Sequence, residues 1–246
     1  MAPQLSVVVP AFNEAARIGP TLDRLCAFSQ SVPGGMEILV VDDGSTDGTS
    51  DLALRPHYRE VQWLRWPRLE KNQGKGAALR AGVLASTGAE VLLCDADLST
   101  PIEEYLRLRP HLDDADVVLG SRGVPESKIT RRQPAYRELM GRLFNVVVRV
   151  VAVGGIRDTQ CGFKLLRGDL ARGLFADLRI DRFAYDVELV WLARRRGATV
   201  TEVGVAWHDS PASSVHALRD SARMLVDVLK IRWRHRGEPV VIGRVR

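Results

Sequence analysis

Carboxylates arrive in two tight groups, each directly after an apolar run: Asp42-Asp43-Gly44-Ser45 behind Glu37 to Val41, and Asp95-Ala96-Asp97 behind Val91 to Cys94. A buried hydrophobic strand that ends in acids carries negative charge to the C-terminal edge of a sheet, where open α/β folds bind ligands. Two Asp one residue apart on an extended segment can face a divalent cation together, and a hard metal that keeps open positions suits a diphosphate. Asp95 and Asp97 are therefore expected to meet a metal, against the plainer reading of a loop with two solvated acids. Asp43 can accept hydrogen bonds from a ribose or a base, while the Gly44-Ser45-Thr46 stretch reads equally well as a turn into a capped helix.

Between the acid groups, Lys71-Asn72-Gln73-Gly74-Lys75-Gly76 is basic, glycine-rich and set before a helix start, a composition that can approach phosphate through backbone N–H groups and a lysine. It is not a GxxxxGK[ST] loop, because position 69 is Leu and Lys75 is followed by Gly76. No GxGxxG follows the first strand either, which argues against a dinucleotide site. A third acid station, Asp158-Thr159-Gln160-Cys161-Gly162-Phe163-Lys164, precedes a further strand. Arg122, Lys128, Arg131, Arg132 and Arg137 punctuate the middle of the chain, and guanidinium forks match phosphate oxygens, although a solvated basic loop has the same composition. Asp186 and Glu188 sit where a helix dipole favours acids, and read equally as N-terminal caps or as functional acids.

The elements that must position these groups follow from periodicity. Strands are expected at Leu5–Val9, Glu37–Val41, Val61–Arg65, Val91–Cys94, Val117–Gly120, Gly162–Leu166 and Val200–Ala206. Helices are expected over Asn13–Ser29, Thr46–Leu54, Gly74–Ser86 with Ala77, Ala78, Ala81 and Leu84 inward, Pro101–Leu112, Ala135–Val153 and Ala184–Arg196. Ser121–Gln133 reads as a polar, basic loop. Strand and helix alternate with short connections, the pattern of an α/β fold with a mostly parallel sheet and right-handed crossovers.

At 246 residues the chain can bury one proper core, expected over residues 1–212, with 213–246 as a basic amphipathic tail belonging to the same domain or lying on a membrane surface. The tail sets Val215, Leu218, Leu225, Val226, Leu229 and Trp233 against Arg219, Arg223, Lys230, Arg232, Arg234 and Arg236; it suits an anionic lipid surface or an ordinary packed last helix. A net charge of +5 is modest and points to an anionic small partner, with no nucleic acid expected. Cys26, Cys94 and Cys161 are odd in number and lack metal-ligand spacing, which suits a reduced cytosolic chain and excludes a zinc ribbon; Cys94 reads as core. No signal peptide is read at the N-terminus. The longest apolar stretch, Leu143 to Ile156, is interrupted by Asn145, Arg149 and Gly154-Gly155 and falls short of a membrane span.

Taken in order, Val7-Val8-Val9-Pro10-Ala11-Phe12-Asn13-Glu14, Asp42-Asp43-Gly44-Ser45, Gly74-Lys75-Gly76, Asp95-Ala96-Asp97, Gly120-Ser121-Arg122 and Asp158 to Lys164 resemble glycosyltransferase family 2. Within it the Asp158–Lys164 and Ala184–Leu189 segments look like the polyprenyl-phosphate branch, the dolichyl-phosphate β-glucosyltransferases and their mannosyltransferase relatives. The resemblance implies a GT-A fold, Rossmann-like with helices on the sheet, and inverting hexose transfer from a nucleotide sugar, UDP-glucose or else GDP-mannose, to polyprenyl or dolichyl phosphate. It implies Pro10, Phe12, Glu14 and Asp43 around the base and ribose, Asp95 and Asp97 on Mg²⁺ or Mn²⁺ and the diphosphate, Arg122, Arg132 and Arg137 on the acceptor phosphate, and Asp158 beside the acceptor. Two positions depart from the pattern: Ser99 stands where mannosyl-type relatives carry Gln, and Ala212-Ser213-Ser214 where relatives carry Gly-Ser-Lys, so that His208 or Lys75 is left to supply charge to the donor diphosphate. The implied location is the cytoplasm, at the inner face of a membrane. A small soluble acceptor such as a phosphoglycerate is the rival enzymatic reading, and a nucleotide-sugar sensor or assembly subunit the non-enzymatic one.

Overall fold

The computed structural model describes residues 2–59, 61–131, 148, 153–209 and 217–236. Seven strands form one sheet: β1 (Leu5–Ala11), β2 (Met36–Asp42), β3 (Leu64–Arg65), β4 (Glu90–Leu93), β5 (Val117–Ser121), β7 (Lys164–Arg167) and β8 (Val200–Gly204). Their spatial order is β3-β2-β1-β4-β7-β5-β8. All neighbours pair in parallel except β7, which runs antiparallel to both β4 and β5. Consequently β7 begins at the edge where β1, β2, β4 and β5 end, so Asp158 and Gly162 enter beside the other acid groups. A second, two-stranded sheet pairs β6 (Lys128–Arg131) with β9 (Ala206–His208), placing strand structure in the stretch read as a basic loop.

Alternation along the strands divides the core between the two faces of the sheet. Val8, Leu39, Val41, Val91, Leu93, Val117, Leu119 and Leu166 face one side, with α3 (Lys75–Ala85), α5 (Gly168–Asp177), α6 (Tyr185–Arg195) and α7 (Ala217–Arg234). Val7, Val9, Ile38, Val40, Leu92, Val118 and Leu165 face the other, against α1 (Ile18–Ser29) and the short turns around α4 (Tyr105–Leu108). Each such side chain taken fully from water is worth about 1.5–3 kcal/mol, which is why both faces of these strands read as near-continuous apolar runs.

Several elements differ from their periodicity. The first helix begins at Ile18 rather than Asn13, because Asn13 takes a left-handed conformation at φ 55° and the following residues are hydrogen-bonded to the next loop. Thr49–Leu54 is a 3-10 helix followed by the single turn α2 (Pro56–Arg59), and Pro101–Leu112 is broken into 3-10 turns around α4. In α3 Ala77 and Ala78 are buried and Ala81 packs half-buried against the core, as expected, together with Leu79, Gly82 and Val83, while Leu84 is exposed. Gly82 sets this phase, since a Cβ there would stand 2.4 Å from Val8 and 2.8 Å from Val41. Helix α5 lies where no element was expected, and the Ala135–Val153 helix falls almost wholly outside the described residues. Among the described residues no helix is long and apolar enough to cross a membrane.

Candidate functional site

The loops after β1, β2, β4 and β5 and the approach to β7 meet at one edge of the sheet. The first two are laced together: Asn13 N donates to Ser45 Oγ (2.9 Å), Glu14 N to Thr49 Oγ1 (2.8 Å), Ala15 N to Asp47 Oδ2 (3.0 Å), and Thr46 N to Asn13 Oδ1 (2.9 Å). This lacing holds Phe12, which is exposed, and Pro10 beside the β2 terminus. Glu14 is gripped by Arg17 at 2.6 and 2.7 Å. Burial still pushes its carboxyl above the usual range, with Asp97 and Asp47 adding to the rise against the pull of Arg17.

Asp43 is buried and receives the backbone N–H groups of Gln73 and Gly74, both at 2.8 Å. Two N–H groups that the sequence offered to a phosphate are thus engaged by a carboxylate, and the β2 terminus is fastened to the start of α3. Burial raises the Asp43 carboxyl, an effect that these two hydrogen bonds only partly offset. Gly44, at φ 73°, passes so close to Lys71 that a Cβ would sit 2.6 Å from its carbonyl carbon; the strain of positive φ and the missing space both demand glycine. Asp42 is not part of the open site: it caps Ser45 N at 2.8 Å and holds the Ser50 hydroxyl.

Asp95 and Asp97 do not lie on an extended strand. Strand β4 ends at Leu93, and Leu98 N bonds back to Asp95 O at 3.1 Å with Leu98 at φ 47°, so the two acids sit on a tight turn. Asp97 Oδ1 accepts Ser99 N (3.0 Å) and Ser99 Oγ (2.8 Å), which fixes the carboxylate and leaves its other oxygen without a protein partner among the described residues. Asp95 Oδ1 takes the Lys75 ammonium at 2.6 Å. Burial pushes the Asp95 carboxyl up, but Lys75, with Lys164 and Arg122 behind it, outweighs that and holds it below the usual carboxylate range. The same pairing raises Lys75 despite its burial, so both groups are charged. Against Asp95 stands Gly162, where a Cβ would lie 2.1 Å from Oδ2.

Asp158 is almost fully buried and is clasped by Arg122 through Nε (2.7 Å), Nη2 (2.9 Å) and backbone N–H (3.0 Å). Burial alone would raise its carboxyl; the Arg122 guanidinium reverses the sign and brings it down to about 2. The Trp207 ring lies 5.3 Å from the same guanidinium, a cation–π distance. Glu202 steadies the approach by accepting Arg157 N and Asp158 N at 2.7 and 2.9 Å. His208 N donates to Ser99 O at 2.9 Å, bringing β9 beside the acid turn. Arg132, Arg137 and Ala212-Ser213-Ser214 lie outside the described residues.

The two acids that read equally as helix caps or functional groups, Asp186 and Glu188, have buried partners. Asp186, at the start of α6, pairs with the fully buried Lys164, which also donates to Cys161 O. Glu188 accepts Arg179 N (3.0 Å), Ile180 N (2.8 Å) and the ring of His235 (2.6 Å), and no side-chain cap closes the helix. Lys164 was visible only as the end of a motif; an isolated lysine opening an apolar strand was the signal that it must find a buried acid.

For a divalent cation the donor set is small, since no group of three or more His, Cys, Asp or Glu side chains converges among the described residues. The outward oxygen of Asp97 and the open side of Asp95 fit Mg²⁺ or Mn²⁺ bound through one or two carboxylates and completed by a ligand's phosphates. This edge of the sheet thus brings together a laced pair of loops, an acid turn and a guanidinium held at the rim.

Known proteins share this sequence pattern and this fold. Residues 6–175 match the model of the family described as Glycosyl transferase family 2. The chain is 34% identical over 245 residues to the dolichyl-phosphate beta-glucosyltransferase of Dictyostelium discoideum, covering 94% of this chain and 74% of that one. Its fold is similar to the mannosyltransferase PcManGT from Pyrobaculum calidifontis in complex with GDP-Man and Mn²⁺, with a TM-score of 0.64 at 21% identity over 97% of this chain and 66% of that one. It is also similar to glucosyl-3-phosphoglycerate synthase from Mycobacterium tuberculosis in complex with UDP, with a TM-score of 0.66 at 22% identity over 94% and 80%. A mostly parallel sheet with acids at its C-terminal edge, matched by sequence over most of its length, is the GT-A framework, and the chain belongs to glycosyltransferase family 2.

Proposed function

We propose that this glycosyltransferase moves glucose from UDP-glucose to a polyprenyl phosphate at a membrane surface. The observation that carries the reading is the buried Arg122–Asp158 clasp standing beside the Asp95–Asp97 turn, a cationic fork next to a diphosphate site. The relative's name, dolichyl-phosphate beta-glucosyltransferase, supports the glucosyl donor and the lipid-phosphate acceptor. The Mn²⁺ in the complex of the similar mannosyltransferase supports a divalent cofactor.

Phe12, Pro10 and Asp43 bind the base and ribose, while Lys75 and His208 lie toward the diphosphate. Asp97 and Asp95 would hold Mg²⁺ or Mn²⁺, which when bound supplies Lewis-acid stabilisation of the departing diphosphate. Arg122, with Arg132 and Arg137 from the neighbouring segment, orients the acceptor phosphate. An acceptor oxygen attacks the anomeric carbon, the bond from that carbon to the donor β-phosphate oxygen breaks, and the electron pair leaves on the nucleoside diphosphate with inversion. A phosphate monoester has a second pKa of roughly 6 and is largely ionised at neutral pH, so the attacking oxygen carries no proton that must be removed. Asp158, held near pKa 2 by Arg122, has little affinity for a proton; its work is to position the guanidinium.

Thermal-shift measurements with UDP and with GDP, each with Mn²⁺, test the donor, because a ligand that binds only the folded state stabilises it according to affinity and concentration. UDP is expected to raise Tm more than GDP at equal concentration; a larger GDP shift would reassign the donor to GDP-mannose.

A further inference from the structure

Helix α7 has two apolar faces. Met224, Val228, Ile231 and His235, spaced at helical intervals, turn inward, and Glu188 with the Trp191 ring receives His235. Leu225, Val226, Leu229 and Trp233 point away, the last two 57% and 61% exposed. A packed last helix needs only the first face. The second is bordered by exposed Arg223, Lys230 and Arg232.

Beside this face, between α7 and residues 179–182, runs a cleft of about 450 Å³. Its cations are Arg179, Arg182, Arg223, Lys230 and Arg234, against only Asp181 and Asp227. Both acids are already committed, Asp181 to Arg80 at 2.6 Å and Asp227 to Arg234 at 3.1 Å. Among the described residues the buried Arg234 Nη1 has no hydrogen-bond partner. The cleft therefore carries an excess of positive charge with an apolar ridge alongside. Its far wall is joined to the donor loop: Asp181 O accepts Ala77 N at 3.0 Å, and a Cβ on Gly74 would meet that carbonyl oxygen at 2.5 Å.

We infer that the outward face of α7 and the basic cleft beside it form one docking surface for an anionic lipid bilayer, the cleft taking headgroup phosphates while Trp233, Leu229 and Val226 enter the interface. Charge complementarity selects this occupant: an apolar protein partner would leave Arg223 and Lys230 unmatched among the described residues, and a free anion would leave the apolar ridge in water. Tryptophan with flanking arginine and lysine on a helix is the composition that lies in the headgroup layer. The surface sits one backbone layer from the glycine loop, so docking sets the donor site at the membrane. The inference rests on the lipid-phosphate reading of the acceptor.

Co-sedimentation of the whole chain with vesicles tests it, using phosphatidylcholine alone and phosphatidylcholine containing roughly one-third phosphatidylglycerol. Binding is expected to the anionic vesicles only, to be released by high salt, to fall more than about tenfold in Arg223→Glu/Lys230→Glu, and to fall several-fold in Trp233→Ser, with unfolding curves confirming that both variants fold. Equal binding to both vesicles, no binding to either, or wild-type binding by the charge-reversed variant would overturn it. So would a dimer in solution that Trp233→Ser turns into a monomer, because the face would then belong to a second copy. Transfer to a short-chain, water-soluble polyprenyl phosphate without vesicles separates the two readings. The charge-reversed variant is expected to keep wild-type turnover there; if docking fails while this transfer proceeds, only the present inference falls, and if docking holds while no lipid phosphate is glycosylated, only the functional reading falls.

Discussion

Arg122 reaches both carboxylate oxygens of Asp158, at 2.7 and 2.9 Å, and adds a third bond from its own backbone N–H. The two residues are separated by 36 positions in the chain and brought together because β5 ends where β7 begins. A guanidinium so anchored presents its remaining N–H groups in a fixed direction, and an acid so paired is ionised at every working pH.

Replacing Asp158 by Asn removes the anchor without removing volume. The Asp158 carboxyl is held at about 2, below its ordinary 3.8, so its stabilising contribution is complete above pH 4 and disappears as pH falls from about 4 to 2. Wild-type unfolding free energy should therefore drop by about 2 kcal/mol more than the variant's across that interval, measured by urea unfolding at each pH. In transfer assays the variant should show a raised acceptor KM, with the acidic limb of the pH–rate profile unchanged, since Asp158 is not the group that titrates there.

Gly162→Ala is a steric test of Asp95. The new methyl would lie 2.1 Å from Oδ2, and Lys75 holds the opposite oxygen, so the carboxylate must swing out of the site. Overpacking against the end of a side chain should cost only about 1–2 kcal/mol of stability. Activity should fall more than a hundredfold, and a comparison of Tm with turnover separates the two effects.

Lys75→Met leaves Asp95 without its nearest cation. Its carboxyl then rises from the depressed position that Lys75 enforces, and the part of the stability that is present at neutral pH and lost on acidification shrinks. Affinity for UDP with Mn²⁺ should fall by about tenfold or more in titration calorimetry, because a positive charge beside the diphosphate is gone.

Chelation addresses the acid turn. Treatment with EDTA should abolish transfer, and Mn²⁺ or Mg²⁺ should restore it in the wild type but not in Asp97→Asn, which loses an outward carboxylate oxygen that has no protein partner among the described residues. The UDP-induced rise in Tm should need the same metal.

Much of this site is legible in the sequence because most of its acids follow strand ends, and apolar runs mark strand ends well. Asp43, Asp95 and Asp97 come to one edge for that reason, whereas Asp158, which precedes β7, joins them only because that strand is antiparallel. Their partners are less legible. Nothing local says that Lys75 turns to Asp95, or that Gln73 and Gly74 give their N–H groups to Asp43; these pairs depend on how α3 docks over β1 and β2. Strand direction is equally silent, since an apolar run such as Lys164–Arg167 reads the same in either orientation. Of the α3 residues expected inward only Leu84 is exposed; Gly82, which carries no hydrophobic signal, is the residue that lets the helix approach the sheet. Asp186 and Glu188 resembled caps because acids favour a helix start; burial of Lys164 and His235 is what claims them.

The most direct test is a transfer assay with radiolabelled UDP-glucose, Mn²⁺ and two acceptors in parallel, a polyprenyl phosphate and 3-phosphoglycerate. The account predicts label in a lipid-soluble β-glucosyl phosphate and none on phosphoglycerate, with Arg122→Ala losing the lipid product. Label on phosphoglycerate with none in the lipid phase would contradict it.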